Sequence, residues 1–399
     1  MSDETSTRKL KISILTPDFS GGGATRAYLL GQVLQKLDYD VKILGFLFGE
    51  SIYPIPPSEL PVTWVQGGKY PELLNSAKIL LKNIDGDVVY AVKPRPTSFG
   101  IALLNKLRTR RPVIVDMDDW EMSWYGGDNW QYRPTPKQLA QHILKSDGEL
   151  RNPEHPLYLK WMEKIINRAD AITVDTQFLQ NRFGGIYLPN GKDTNLFDPQ
   201  QYAAEVSRVR YGLSDYRVLM FPGTARPHKG LEDVLTALDK LNQPDLRLVL
   251  VGGRDIGDGY VEQLMEKGER WIIKLPPSPS EKMPDIVAAA HVVIVPQRDS
   301  NIAQAQFPIK LTDGMAMAKP ILSTYVGDIP EILGGTGYLV APESPEEIAE
   351  KIQWIFEHLD EANQQGIKAR ERCISHYSTE TMASILSDVI KDLQLVGKV

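Results

Sequence analysis

Two doubly wound α/β domains are what this sequence predicts, and three observations predict them. Short β-branched apolar runs alternate with amphipathic helical patterns, as in parallel sheets covered on both faces. The alternation restarts near residue 217. The chain, at 399 residues, is too long for one ordinary domain and suits two of roughly 150–200 residues.

The first series opens with the strand Lys11-Ile12-Ser13-Ile14-Leu15, ended by Thr16-Pro17. Ala27, Leu30, Val33, Leu34 and Leu37 follow at helical spacing and form one buried stripe. Val41 to Leu44, Val88 to Val92, Val113 to Val115 and Ala171 to Val174 continue the strands. Turn signals at Tyr187-Leu188-Pro189-Asn190-Gly191 and Phe197-Asp198-Pro199 place a boundary near Pro199. The second series runs through the strand Arg217 to Phe221, the helix Leu231 to Leu241, and strands at Leu246 to Val251, Trp271 to Ile273 and Val292 to Val295. Thr379 to Leu395 reads as a helix packing back on the first domain. The expected division is therefore 1–198, 199–380 and a terminal helix at 381–399. Doubly wound sheets bind ligands beyond the carboxyl ends of their strands, so two facing sheets predict a cleft.

Bulk properties exclude several classes. A net charge of -6 argues against broad nucleic-acid binding, which needs a cationic surface. Cys373 is the only cysteine, which excludes a disulfide framework and a Cys-rich zinc site and fits a reducing compartment. No apolar run approaches the ~20 residues that span a bilayer. The start, MSDETSTRKLKISILTP, lacks the apolar core of a signal peptide. A cytoplasmic location is expected, with peripheral membrane contact left open.

The stretch from Phe307 to Val340 carries the most chemistry. A turn opens a short helix bearing Asp313 in its first turns; Gly314-Met315-Ala316-Met317-Ala318 follows; Pro320 starts the apolar strand Ile321-Leu322; and Gly327-Asp328-Ile329-Pro330-Glu331 opens another helix. Helix N-termini offer unpaired N–H groups and a partial positive charge to a phosphate. An acid one turn further in accepts hydrogen bonds from a ribose. Together they point to a nucleotide-sugar site.

Other motifs read in two ways. Gly21-Gly22-Gly23-Ala24-Thr25-Arg26 is not a Walker A loop, and it fails GxGxxG because Arg26 stands at the third glycine. Gly22 and Gly23 either bring backbone N–H groups to a diphosphate or only form a tight turn. Gly223-Thr224-Ala225-Arg226-Pro227-His228-Lys229-Gly230 puts two cations, Arg226 and Lys229, beside a strand end. There they stabilise a diphosphate leaving group or form a solvated loop. Asp116-Met117-Asp118-Asp119-Trp120-Glu121 contains a DxD, for which magnesium is chemically possible. Asp118 and Asp119 otherwise orient an acceptor hydroxyl or cap and solvate a loop. Trp120, Trp124, Tyr125 and Trp130, near Gly126 and Gly127, suit the apolar face of a sugar or a packed loop. Lys93 and Arg95, just past a strand end, read an acceptor phosphate or are surface charge. Lys106 to Arg111 is a solvated linking turn. The histidines have no metal spacing.

In their order and spacing, Gly21 to Ala24, Pro189-Asn190-Gly191, Gly223 with Lys229-Gly230, and Phe307 to Val340 resemble the GT-B glycosyltransferases, specifically family 4 of the retaining enzymes. The resemblance covers most of the chain. It implies two facing Rossmann-like domains, with the acceptor held mainly by the first and the nucleotide-sugar donor by the second. It implies catalytic roles for Arg226, Lys229, Asp118 and Asp119. Donor contacts fall on Gly22, Gly23, Gly223, Gln306, Phe307, Ile309, Lys310 and Asp313, with backbone N–H groups of Ile309 and Lys310 on the diphosphate. Acceptor contacts fall on Lys93, Arg95, Trp120 and Trp124. The family's arginine after the glycine is here Thr224, with Arg226 two residues on. Asp313 matches the second acid of the family's paired-glutamate motif. The first acid falls on Ala305, and Gln304 or Gln306 stands in as a neutral substitute.

The expected activity is a retaining, metal-independent hexosyltransferase with no cofactor beyond its co-substrate. It would move glucose from a UDP-sugar to a hydroxyl of a soluble sugar or sugar phosphate, as in sucrose-type synthesis. The alternatives are a lipid-linked or polysaccharide acceptor at a membrane, and a non-catalytic nucleotide-sugar-binding protein.

Overall fold

The computed structural model of the chain describes residues 8–252 and 259–395. The first seven residues, read above for a leader, lie outside the described residues. The chain forms two compact units, one of Met1–Asn190 with Met382–Val399 and one of Gly191–Thr381.

The first unit is built on a parallel sheet of β1 (Lys11–Thr16), β2 (Asp40–Leu47), β3 (Val62–Gln66), β4 (Val88–Val92), β5 (Val113–Met117), β6 (Ala171–Val174) and β7 (Ile186–Tyr187). Their spatial order is β3-β2-β1-β4-β5-β6-β7. Ile14 on β1 lies level with Ile43 on β2 and Tyr90 on β4, which sets the register. Every residue of β4 and β5 is buried, as expected of central parallel strands covered on both faces. The stripe Ala27, Leu30, Val33 and Leu34 of the helix Thr25–Lys36 packs on this sheet. Met382, Leu386, Val389, Ile390 and Leu393 of the helix Thr379–Leu395 join the same core. Their spacing puts them on one face, and each such buried side chain contributes roughly 1.5–3 kcal/mol.

The second unit repeats the plan with β8 (Arg217–Pro222), β9 (Leu246–Val251), β10 (Ile272–Leu275), β11 (Val292–Val295), β12 (Ile321–Thr324) and β13 (Tyr338–Val340). Their order is β10-β9-β8-β11-β12-β13, again all parallel. In each sheet the strand order reverses beside the first strand, at β1/β4 and β8/β11. That switch point opens a crevice at the carboxyl ends.

The division falls at Asn190 and Gly191, eight residues before the expected boundary. Hydrogen bonds explain the difference. The Lys192 N–H donates to Tyr377 O at 2.7 Å, and Thr379 N–H donates to Lys192 O at 2.9 Å. The Arg370 guanidinium donates to Phe197 O at 2.5 Å and to Thr194 O at 3.2 Å. These bonds fasten 191–198 to the second unit. Three strands, β3, β7 and β13, were not foreseen. β3 is only half covered, and β7 has two residues, so neither carries a strong apolar signal. Among the described residues no helix is long and apolar enough to cross a membrane.

Candidate active site

The second unit gathers cations at its switch point. Beyond β8, a single helical turn, Pro227–Lys229, leads through Gly230 into the helix Leu231–Leu241. Gly230 has φ 66°, and a Cβ there would lie 2.0 Å from Pro296 O beyond β11. Only glycine allows that approach. The Arg298 N–H donates to His228 O at 3.1 Å, and the Arg298 guanidinium grips Asp233 of the following helix through two bonds of 2.9 and 2.8 Å. The loops after β8 and β11 are thus stitched together, which fixes Lys229.

The buried Lys229 donates to Gln306 Oε1 at 3.1 Å. Lys310, on the helix Ile309–Ala316, reaches back across Gly223. A Cβ on Gly223 would lie 2.6 Å from Lys310 Cε, and Gly223 also has φ 149°. The Lys310 ammonium sits 5.0 Å from the centre of the Phe221 ring. Burial lowers its pKa to about 8; Asp313 opposes that shift and Arg226 adds to it. Burial likewise pushes His228 down to about 3, helped by Lys229, Arg226 and Lys310. Beside burial, Lys229, Arg226 and Lys310 each add a positive field at His228. Such a field, at the mouth of a parallel sheet, is built for an anion.

Asp313 is buried and ion-paired with Lys192. It lies in the second turn of its helix. Ala305 is fully buried, so an acid at that position would be taken out of water. Of the two candidate substitutes, Gln306 meets Lys229, whereas Gln304 donates to Asp299 at 2.7 Å. Phe307 is buried against Tyr377, with ring centres 6.0 Å apart. The Ile309 N–H, expected on a diphosphate, instead donates to Phe307 O at 3.0 Å.

In the first unit the glycine loop is shaped by Asp18, whose Oδ1 accepts from Ser20 N at 2.8 Å and Ser20 Oγ at 2.6 Å. Gly22 has φ 82° and donates its N–H to Tyr53 O at 3.1 Å; Gly23 O accepts from Thr16 Oγ1 at 3.4 Å. Arg26, in place of a third glycine, is buried and bridges the unit. It holds both oxygens of Asp116 at 2.8 and 3.0 Å, Leu188 O at 2.8 Å and Asn190 Oδ1 at 3.1 Å. Thr173 Oγ1 adds a bond to Asp116 at 2.6 Å, and Asn190 donates to Asp175 at 2.9 Å. The first acid of the DxD is therefore a structural anchor of the first unit. Among the described residues no group of three or more His, Cys, Asp or Glu is placed to hold a metal ion.

The structure corrects the reading of Lys93 and Arg95 as phosphate readers. The Lys93 ammonium lies 3.2 Å from Asp118, 3.8 Å from Asp119 and 3.0 Å from Glu121. Arg95 pairs with Glu121 at 2.7 Å and with Glu154. Two cations thus face four carboxylates, and an incoming phosphate meets an acidic edge. Burial opposes ionisation of Glu121, but Arg95 and Lys93 prevail and hold it down at about 2. Burial raises Asp119, with Lys93 pulling the other way and Glu121 adding to the rise. Trp120 is corrected too. It is buried, Gly127 packs on its ring, and the Arg182 guanidinium stacks 4.0 Å from its centre. It is therefore a packing residue. Trp124 is half-exposed and donates its indole N–H to Asp119 at 3.0 Å. Sequence reasoning missed Lys192, Glu121 and Glu154. Lys192 follows the Pro189-Asn190-Gly191 turn, and Glu121 closes the acidic run, but neither position marks its partner.

Known proteins resemble this chain in sequence and in fold. Residues 216–358 match the family described as Glycosyl transferases group 1. The chain is 25% identical over 312 residues to the GDP-mannose-dependent alpha-(1-6)-phosphatidylinositol monomannoside mannosyltransferase of Mycolicibacterium smegmatis, covering 71% of this chain and 79% of that one. Among solved structures, sucrose-phosphate synthase from Thermosynechococcus elongatus superposes with a TM-score of 0.73 at 17% identity, covering 97% of this chain and all of that one. Anabaena Alr3699/HepE in complex with UDP-glucose superposes with a TM-score of 0.73 at 19% identity, covering 96% of this chain and all of that one.

Proposed function

We propose that the chain is a GT-B glycosyltransferase of the group 1 type, and that it transfers a hexosyl group from a nucleotide-sugar donor to a sugar hydroxyl with retention of configuration and without a metal ion. The observation that carries this reading is Lys310 packed against Gly223, with Arg226 and Lys229 in the same loop and Lys229 bonded to Gln306. As the bond from the sugar C1 to the β-phosphate oxygen breaks, its electron pair leaves with the diphosphate. Cations already in place stabilise that charge without reorganisation. The acceptor oxygen bonds to C1 on the same face, and its proton passes to the departing diphosphate. Asp313 receives the ribose hydroxyls. On the first unit, Asp118, Asp119 and Trp124 take the acceptor. The carboxylate excess there favours an uncharged glycan hydroxyl over a sugar phosphate.

UDP-glucose and GDP-mannose are the first donors to test, since the Mycolicibacterium relative is named as GDP-mannose-dependent and the Anabaena structure is a complex with UDP-glucose. Nucleotide release is followed for UDP-, GDP- and ADP-hexoses, with and without neutral glycan acceptors and with EDTA. Acceptor-dependent release that survives EDTA is expected. Binding without release from any donor favours the non-catalytic alternative, which Ala305 motivates. EDTA inhibition reversed by magnesium would overturn the metal-free step.

Lys310 gives a pH dependence. Burial lowers its ammonium to about 8, and a bound diphosphate favours the charged form and raises it. Binding then takes up a proton above pH 8. Affinity for a nucleoside diphosphate is expected to be flat below that pH and to fall by up to about tenfold per unit above it. Titration calorimetry from pH 7 to 9.5 measures this. The slope should vanish in Lys310→Gln. His228, pushed to about 3, is neutral throughout and does not contribute.

A further inference from the structure

We propose that Lys192 is a positioning residue for nucleotide recognition: it holds the Asp313 carboxylate in the one orientation that receives a ribose diol. The proposal rests on the donor site described above and deepens it.

Lys192 and Asp313 come from distant parts of the second unit, and three features bring them together. The Lys192 backbone is pinned on both sides, its N–H to Tyr377 O at 2.7 Å and its carbonyl to Thr379 N–H at 2.9 Å. Its ammonium lies 4.6 Å from the centre of the Phe197 ring. That ring is fixed in turn, because Asp193 Oδ1 closes the turn by accepting from Asn195 N and Leu196 N at 3.1 and 3.0 Å. Arg370 donates to Phe197 O and to Ala316 O, tying this turn to the helix that bears Asp313. The Lys192 ammonium therefore reaches Asp313 from a rigid base, on an aromatic face that favours a cation.

The pairing engages Oδ1. A carboxylate has about four lone-pair directions, so one oxygen taken by Lys192 leaves the other to accept from two hydroxyls. An aspartate is one methylene shorter than glutamate, and the lysine fixes where its shorter reach ends.

The test compares binding of UDP, GDP and ADP with their 2′,3′-dideoxy analogues, by calorimetry, in wild type, Lys192→Met and Lys192→Arg. Wild type should bind the ribonucleotide at least tenfold more tightly than the dideoxy form. Lys192→Met should lose most of that ratio, and Lys192→Arg should restore much of it. The backbone bonds of residue 192 do not need its side chain, so the fold should persist, as thermal melting checks. Asp313→Asn supplies a second route: it should abolish the ratio, and adding Lys192→Met to it should change nothing more. Equal weakening of both ligands in Lys192→Met would reduce Lys192 to a structural strut and overturn the proposal. If wild type binds none of UDP, GDP and ADP, the nucleotide reading of the whole site fails. If wild type binds one of them and discriminates, but Lys192→Met discriminates equally well, only the role of Lys192 fails.

Discussion

Lys229→Ala is expected to lower turnover by roughly 10²–10³-fold, the effect of removing one charge-stabilising donor from a preorganised site. Affinity for the intact donor should change far less, because the charge this ammonium meets develops as the glycosidic bond breaks. The structure explains why no neighbour substitutes. Gly230 against Pro296 O, His228 O under the Arg298 N–H, and the Arg298–Asp233 pair hold the loop in one place. Lys310 comes from a separate helix and lies against Gly223 and the Phe221 ring. Nucleotide release with a saturating donor measures the effect, and turnover within threefold of wild type would remove Lys229 from the chemistry. Gln306, its partner at 3.1 Å, should show a smaller loss, since Gln306→Ala leaves the cation in place.

Arg26→Met is expected to destabilise the first unit by about 3–5 kcal/mol, the loss seen when one partner of a buried ion pair is removed. The substitution strands Asp116, which is fully buried, and breaks the bonds to Leu188 O and Asn190. Asn190 then loses its fixed bridge to Asp175, whose carboxyl burial already raises well above its usual range, against the pull of Arg26. Urea unfolding followed by a probe in the first unit reads the change. Arg26→Met with Asp116→Leu should recover part of it, because an apolar pair leaves no orphaned charge. An unchanged midpoint in Arg26→Met would show that the network contributes little.

Central strands and the long amphipathic helices were legible in the sequence because burial on both faces writes continuous apolar runs, as in β4 and β5. The unit boundary was misplaced because hydrogen bonds from Tyr377 and Arg370, almost two hundred residues on, decide where 191–198 belongs. In the site, Gly223 and Lys229 announced themselves, since a glycine and a lysine after a strand have local meaning. Lys93, Arg95 and Trp120 misled because the sequence shows a side chain's chemistry and hides its partner. Lys93 is one charge in a string, yet the fold sets three carboxylates around it. Arg26 was noticed as a broken glycine pattern, but only the fold shows that it replaces a turn requirement with an anchor to Asp116.

The helix Thr379–Leu395 completes the core of the first unit although it is encoded after the second. On a ribosome, the chain through Thr381 contains everything the second unit needs, while the first still lacks Met382, Leu386, Val389, Ile390 and Leu393. Domains usually mature in the order of their synthesis; here the order of completion is reversed. Until Leu393 has been made, the earlier-made sheet must wait with an apolar face uncovered, and a chaperone that shields such surfaces has its longest opportunity there.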